Sequence, residues 1–501
     1  MGIDGRLIRI EVDASQGLPS YDTVGLPDKA VTESRERVRA AIRNSGYVLP
    51  PRRITVNLAP AALRKVGSVY DLPIAVALLV ASESLREDSQ AIIERSMIVG
   101  ELALGGEVRA VHGALSMAIK AREEGMQYFF CPKENAPEAA NIGGICVVGV
   151  ESLRQICDML EGQLAIVVEQ QRAWNPAPLE AENDFSLIRG QFVAKRAAEI
   201  AAAGGHNMLM IGHPGGGKTM LARAIPGILP DLRFEEALEI SKIHSLLGQL
   251  DALGLARQRP FVAPHHNASM AALIGGGALA RPGAISMAHH GVLFLDEMPE
   301  FQREVLEALR QPLEDGFARI ARVQASATYP ASFMLVAAMN PCPCGYFGSR
   351  HHRCTCSEKR VASYRGRISG PLMDRIDLFI SMQEMQYDDF YGQSSVIGET
   401  SDQIRSRVNE ARNRQWHRLK GSTQYCNGRM QQKQIEETCV LDAAAQRLFR
   451  HEFERQHFNG RTVARILRLS RTIADMAASE EIGEEHVAEA MQYRQMDRLW
   501  T

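Results

Sequence analysis

The 501-residue chain has no apolar run of the roughly 20 residues that a membrane-spanning helix needs; its longest lies between Pro73 and Ala81. It also lacks a charged N-terminal stretch followed by an apolar one, so no secretory leader is read. A cytoplasmic protein without a membrane partner is the expectation. Internal repeats and low-complexity tracts are missing as well, and nothing in the composition suggests disorder or a fibre. Net charge is nearly absent, −2 from 57 basic and 59 acidic residues, so any nucleic-acid contact has to come from a local basic surface. The cysteines do not make an even set. There are nine, and in a reducing compartment they serve as core residues or metal ligands rather than as disulfides.

Against these absences stand 45% hydrophobic and 23% charged residues, the balance of a globular protein whose length suggests about two to four domains. Residues 1–168 alternate strand-like runs ("RITVNLA", "SMIVGEL", "YFFCP", "ICVVGV") with helical ones ("GALSMAIKAREEG", "ESLRQICDML"), which indicates an α/β domain. Residues 169–185 are polar, hold two prolines, and read as a linker. A second α/β domain, 186–385, begins with the alanine-rich helix "QFVAKRAAEIAAAGG" and the strand "NMLMI". Residues 386–501 are helical, with Val463, Ile466, Leu467, Ser470, Ile473, Ala474 and Ala477 recurring at helical spacing.

Within the second domain, "IGHPGGGKTM" fills the phosphate-loop pattern with Gly212, Gly217, Lys218 and Thr219. Gly212, His213, Pro214, Gly215, Gly216, Gly217, Lys218 and Thr219 are the expected nucleotide-binding residues. The glycines let successive backbone N–H groups turn inward, Lys218 reaches the β- and γ-phosphates, Thr219 holds Mg²⁺, and the following helix lends its positive end. "GVLFLDE" is a buried-strand run ending in Asp296 and Glu297, placed to hold Mg²⁺ and to orient the attacking water. Asn340 ends another apolar strand, "FMLVAAMN", and ligands of open α/β sheets lie at the carboxyl ends of strands. Phosphate loop, acidic pair and asparagine together predict an ATPase using ATP and Mg²⁺.

The runs "AAEIAAAGGHNMLMIGHPGGGKTMLARAIPGILP", "AHHGVLFLDEMPEF", "LEALRQPLEDG" and "AAMNPCPCGYFG" resemble the ComM/YifB family of magnesium-chelatase-like AAA+ ATPases. The likeness runs from "GLPDKAVTESRERVRAAI" to "RTIADMA". Two departures stand out: His213 fills a loop position usually held by a smaller or proline-like residue, and the chain starts inside the family's usual N-terminus, so a first strand is expected to be missing. The resemblance implies a homohexameric ring with ATP between subunits and an arginine donated by the neighbour. Arg375 in "GPLMDRIDLF" is the matching finger, Arg367 a weaker candidate, and Arg465 the sensor on a C-terminal helical lid. Arg461 and Arg468 are expected on a solvated face opposite the apolar stripe. The family role this implies is a DNA motor promoting branch migration when incoming DNA is integrated in natural transformation. Its rivals are a chelatase motor assisting Mg²⁺ insertion into a porphyrin and an ATP-dependent protease.

Between the two ATP motifs lies a long interval resembling the family's insertion in the second helix of the core. Further on, "GFARIARVQASATYPASF" alternates like a hairpin with Arg319 and Arg322 near its turn, suited to tracking a DNA backbone without reading sequence or, alternatively, to packing between subunits. Cys342, Cys344, Cys354 and Cys356 form two C-x-C pairs with His351 and His352 between them, a possible structural Zn²⁺ site. Cys131, Cys146 and Cys157 lie in apolar runs and are read as core. "VGELALGGEVRAVHGALSMAIKAREEG" resembles the Lon-protease fold, but Met117 occupies the lysine slot and the serine slot falls near Asp71. Ser68 and Lys120 are out of register, so the N-terminal domain is expected to be non-catalytic, which counts against the protease. The chelatase motor lacks such a front domain, which is taken to count against the chelatase.

Overall fold

The computed structural model describes residues 2–86, 88–177, 183–250, 254–277, 280–321, 326–384, 398–422 and 425–495. Its contacts divide the chain into two units, Met1–Asn175 with Phe234–Arg257, and Pro176–Arg233 with Gln258–Thr501.

In the first unit, β1 (Arg9–Ser15), β2 (Ser20–Val24) and β3 (Arg53–Ala59) form a sheet in the order β1-β3-β2. Strand β3 buries Ile54, Val56 and Leu58 on one face, the period-2 pattern of a half-covered sheet. Helix α1 (Lys29–Asn44) starts where the Asp28 carboxylate accepts from the Val31 N–H at 2.8 Å. Helix α2 (Asp71–Ala81) contains the longest apolar run and is covered almost all round. A second, parallel sheet follows from β4 (Ser96–Ile98), helix α3 (Ala114–Glu123), β5 (Tyr128–Pro132), β6 (Cys146–Val150) and helix α4 (Leu153–Leu160). Cys131 and Cys157 are fully buried and Cys146 is half-buried.

The helix Phe234–Leu247 packs in this first unit, although it follows the phosphate loop in sequence. Trp174 meets Phe234 edge-on at 5.9 Å and donates to the Ala256 carbonyl at 3.1 Å, while the Gly113 N–H donates to Ser245 at 3.0 Å.

The second unit opens with α5 (Phe192–Gly204), which Gly205 ends at φ +68, a left-handed cap that favours glycine. Then come β7 (Met208–Ile211), α6 (Lys218–Ala224), β8 (Phe261–Val262), β9 (Val292–Leu295), the antiparallel ribbon β10 (Phe317–Ala321) and β11 (Ser326–Pro330), β12 (Met334–Met339) and β13 (Leu378–Ser381). The main sheet has the order β8-β9-β12-β7-β13 with every pair parallel. Strands β9 and β12 are buried at every residue, which is why they read as unbroken apolar runs.

Beyond β13 the regular elements among the described residues are helices, including α7 (Ser401–Arg418), α8 (Ala443–Gln456), α9 (Gly460–Met476) and α10 (Glu484–Gln495). Helix α9 buries Ile466, Leu469, Ile473 and Ala474, but also Arg471 and Asp475. Asp475 accepts from Arg471 Nε at 3.1 Å and Asn427 Nδ2 at 2.7 Å, and pairs with Arg418. Removing that carboxylate strands two guanidinium groups, at a cost of about 3 kcal/mol or more. Asp475→Ala is therefore expected to lower the thermal transition by roughly 6 °C or more. An unchanged transition would show that the two arginines find other partners.

Candidate nucleotide site

Residues 212–217 link the end of β7 to α6, and the strand order puts the ends of β12 and β9 beside them. Gly217 at φ +84 makes the turn into α6, and a Cβ on Gly212 would stand 2.7 Å from Met382 Cβ, so the loop accepts nothing larger there. The Lys218 ammonium donates to the carbonyls of Gly212 at 2.7 Å and His213 at 2.9 Å, and to Asn340 Oδ1 at 3.1 Å. Burial lowers its pKa, while Asp296 and Glu297 act in the opposite direction. Thr219 Oγ1 donates to Asp296 Oδ2 at 2.8 Å. Glu297 has φ +49, a left-handed conformation unusual for its type, and His266 Nδ1 lies 3.8 Å from its carboxylate. Lys218, Thr219, Asp296 and Asn340 are thus joined by hydrogen bonds, with Glu297 next in chain. Such a set brings a cation, a hydroxyl and carboxylates together at one end of the sheet.

Gln191 is a member that the motif patterns do not reveal. Its side chain donates to Gln383 O at 2.8 Å and Gly216 O at 3.4 Å, tying the phosphate loop to the end of β13. Its only local signal is φ +54 just before α5, which sequence does not display.

The arginines stand elsewhere. Arg375 precedes β13, where it donates to Arg310 O at 3.1 Å and Pro371 O at 2.6 Å and pairs with Glu314. Its own carbonyl accepts from Asn207 Nδ2 at 2.8 Å, just ahead of β7. The phosphate loop follows the far end of β7, so Arg375 and its own loop are separated by the length of that strand, roughly 13 Å. Arg465 shares that edge, with Nε 3.8 Å from Asp377 Oδ1 and a buried Nη1 that has no hydrogen-bond partner among the described residues. Burial draws Arg465 down to about 10. Burial would raise Asp377, yet the hydrogen bond and charge of His206, with Arg465 and the Asn207 N–H, outweigh it and bring the carboxyl to about 2. Arg367 donates to Pro299 O at 3.0 Å and Glu300 at 2.8 Å. Arg461 is exposed as expected. Arg468 is not: it is half-buried and donates to the Met430 carbonyl, because the helix-turn segment around Met430 covers that side of α9.

The β10–β11 ribbon carries Arg319 on its exposed face; Arg322 lies outside the described residues. Beside it is a second short ribbon, Gly275–Gly276 with Arg281–Pro282, held by Tyr329 donating to the Ala280 carbonyl at 2.8 Å. Arg281 is exposed there. The four cysteines predicted from spacing converge, with all four sulfurs within 4.8 Å of one another. Backbone N–H groups of Tyr346 and Thr355 aimed at Cys344 pull its thiol down to about 5. In the first unit, Asp71 is fully buried in a two-point pair with Arg37 at 2.9 and 3.1 Å, Ser68 donates to Glu101, and Lys120 pairs with Glu124 at 2.7 Å. Met117 is half-buried and packs against an apolar cluster that includes Phe129 and Cys131 of β5.

Residues 184–390 match a family model described as magnesium chelatase, subunit ChlI, which makes the sheet and its loop a magnesium-chelatase-like AAA+ core. Residues 10–135 match one described as subunit ChlI of Mg-chelatase, and residues 398–494 match the subunit's C-terminal model. The protein YifB of Salmonella typhimurium is 44% identical over 499 residues, spanning 100% of this chain and 96% of its own. The competence protein ComM of Haemophilus influenzae is 42% identical over 505 residues, with 100% and 96% covered. The magnesium-chelatase 38 kDa subunit of Rhodobacter capsulatus is 26% identical over 174 residues, 31% of this chain and 50% of that protein. The chain belongs to the ComM/YifB family of magnesium-chelatase-like proteins. The front segment matches a model that itself bears the chelatase name, so its presence does not separate the chain from a chelatase as expected. The likeness is end to end for ComM and partial for the chelatase subunit.

Proposed function

We propose that the protein is an ATP-hydrolysing motor that works in the cytoplasm as a homohexameric ring on DNA, promoting branch migration while incoming DNA is integrated in natural transformation. The observation that carries the hydrolytic part is the joining of three strand ends, Lys218 to Asn340 at 3.1 Å and Thr219 to Asp296 at 2.8 Å. Lys218 exchanges its loop carbonyls for phosphate oxygens, Asn340 holds the γ-phosphate side, and Glu297 orients the attacking water. The Thr219 hydroxyl and the Asp296 carboxylate are hard oxygen donors on one side of the loop and suit Mg²⁺, which when bound neutralises phosphate charge. Arg375 and Arg465, at the far end of β7 from their own loop, act on the nucleotide of a neighbouring subunit.

The DNA part is supported by the end-to-end likeness to a competence protein and by two adjacent ribbons presenting Arg281 and Arg319. Contacts of that kind take hold of phosphates, and affinity then falls steeply with salt and varies little with sequence. Arg319→Ala, alone or with Arg322→Ala, is expected to lower DNA-stimulated ATPase and fork unwinding more than basal ATPase, and to reduce the salt slope of binding by about one. Intact rings that unwind forks at the normal rate without these arginines would remove the ribbon from the mechanism. The chelatase names of the three family models favour a second reading, a motor for metal insertion into a porphyrin. ATPase activity that ignores both single-stranded and branched DNA would place that reading first.

A further inference from the structure

The turn that carries Cys342 and Cys344 packs on the phosphate loop. Cys342 comes two residues after Asn340, and the turn that follows folds back toward the nucleotide site. Gly345 sits so near Pro214 that a Cβ there would stand 2.6 Å from Pro214 Cγ. One turn further, the Phe347 carbonyl lies 3.2 Å from His213 Nε2. On its other side the His213 ring faces Glu384 at 3.2 Å, which His351 also approaches at 3.8 Å. Cysteine turn, phosphate loop and the segment after β13 therefore form one stack, with His213 in the middle.

The sulfurs are arranged for one ion. Cys342 Sγ is 3.3 Å from Cys344 Sγ and 3.7 Å from Cys354 Sγ, and Cys344 is 3.6 Å from Cys354. A disulfide holds its sulfurs at about 2.05 Å. A tetrahedral Zn²⁺ with bonds of about 2.3 Å sets its four sulfurs roughly 3.8 Å apart. Backbone N–H groups point at the sulfurs, Phe347 at Cys342 at 3.3 Å and Cys356 at Cys354 at 3.4 Å, the arrangement that stabilises thiolates.

We propose that Cys342, Cys344, Cys354 and Cys356 hold one structural Zn²⁺, and that the zinc-held turn sets the shape of the phosphate loop through the Phe347–His213 and Gly345–Pro214 contacts. Zinc occupancy then governs nucleotide affinity. This rests on the nucleotide reading above. No redox step is involved: one Zn²⁺ binds four thiolates, and the protons of those sulfurs still protonated leave to solvent. His213 gains a purpose, since its ring lies between Phe347 of the turn and Glu384.

The intact chain tests this without cysteine variants, in which loss of zinc and loss of the fold would coincide. Elemental analysis is expected to find about one zinc per chain. Stripping it with a chelator should weaken binding of a fluorescent ATP analogue by roughly tenfold or more, and Zn²⁺ but not Mg²⁺ should restore it. His213→Ala should keep its zinc and bind the analogue about fivefold more weakly, the loss of one hydrogen bond. Protein that holds iron or no metal, or that stays folded and binds ATP equally well after zinc is stripped, overturns the proposal. Full affinity in a zinc-loaded His213→Ala removes the strut. A zinc-loaded wild type that binds no ATP refutes the nucleotide reading instead, and the coupling with it.

Discussion

Glu297→Gln is expected to bind ATP as well as the unaltered protein does and to hydrolyse it at least about a hundredfold more slowly, the usual weight of a positioned general base. The amide keeps the shape of the carboxylate but cannot accept the proton of the attacking water. The hydrogen bonds joining Lys218, Thr219, Asp296 and Asn340 do not include the Glu297 side chain, so the change leaves them in place. Lys218→Ala should behave differently. That ammonium fills the loop and touches three oxygens, so its loss removes the phosphate partner itself and weakens binding before any chemistry. Measuring ATP affinity beside turnover separates the two variants. Normal hydrolysis by Glu297→Gln would take the role from this residue.

The residues that come together in the candidate nucleotide site could be picked out in the sequence because its parts are local. A phosphate loop needs glycines and a lysine at fixed offsets, and β9 and β12 announce themselves as apolar runs because both faces are covered. The cysteine set was legible from spacing, whereas its contact with His213 was not, since Phe347 lies 134 residues from its partner. Gln191 escaped for a similar reason: its hydrogen bond to Gln383 spans 192 residues. Helical periodicity located the apolar stripe of α9 but could not show that Met430 would cover the side bearing Arg468. Nor could local pattern place the helix Phe234–Leu247, which is joined to the first unit by Trp174 and Gly113, both well before the phosphate loop in the chain.

Arg375→Ala should be nearly inactive alone, with turnover down roughly a thousandfold, and should recover activity when mixed with Lys218→Ala. The placement of Arg375 motivates this. Its backbone is fastened to Asn207 at the start of β7, and its guanidinium to Arg310, Pro371 and Glu314, so it cannot reach the loop at the other end of that strand. A ring built on one repeated, head-to-tail boundary sets each such edge against the loop of the next subunit. In an equal mixture of the two variants, about a quarter of the boundaries then join an intact loop to an intact finger. A structural role makes a different prediction, because the ion pair with Glu314 lies within one chain and no neighbour supplies its missing half. Under that role, Arg375→Ala lowers thermal stability and mixing restores nothing. Recovery of ATPase in mixed rings, with each variant alone inactive and folded, establishes a site shared between subunits; failure of recovery in rings shown to be mixed assigns Arg375 to its own chain.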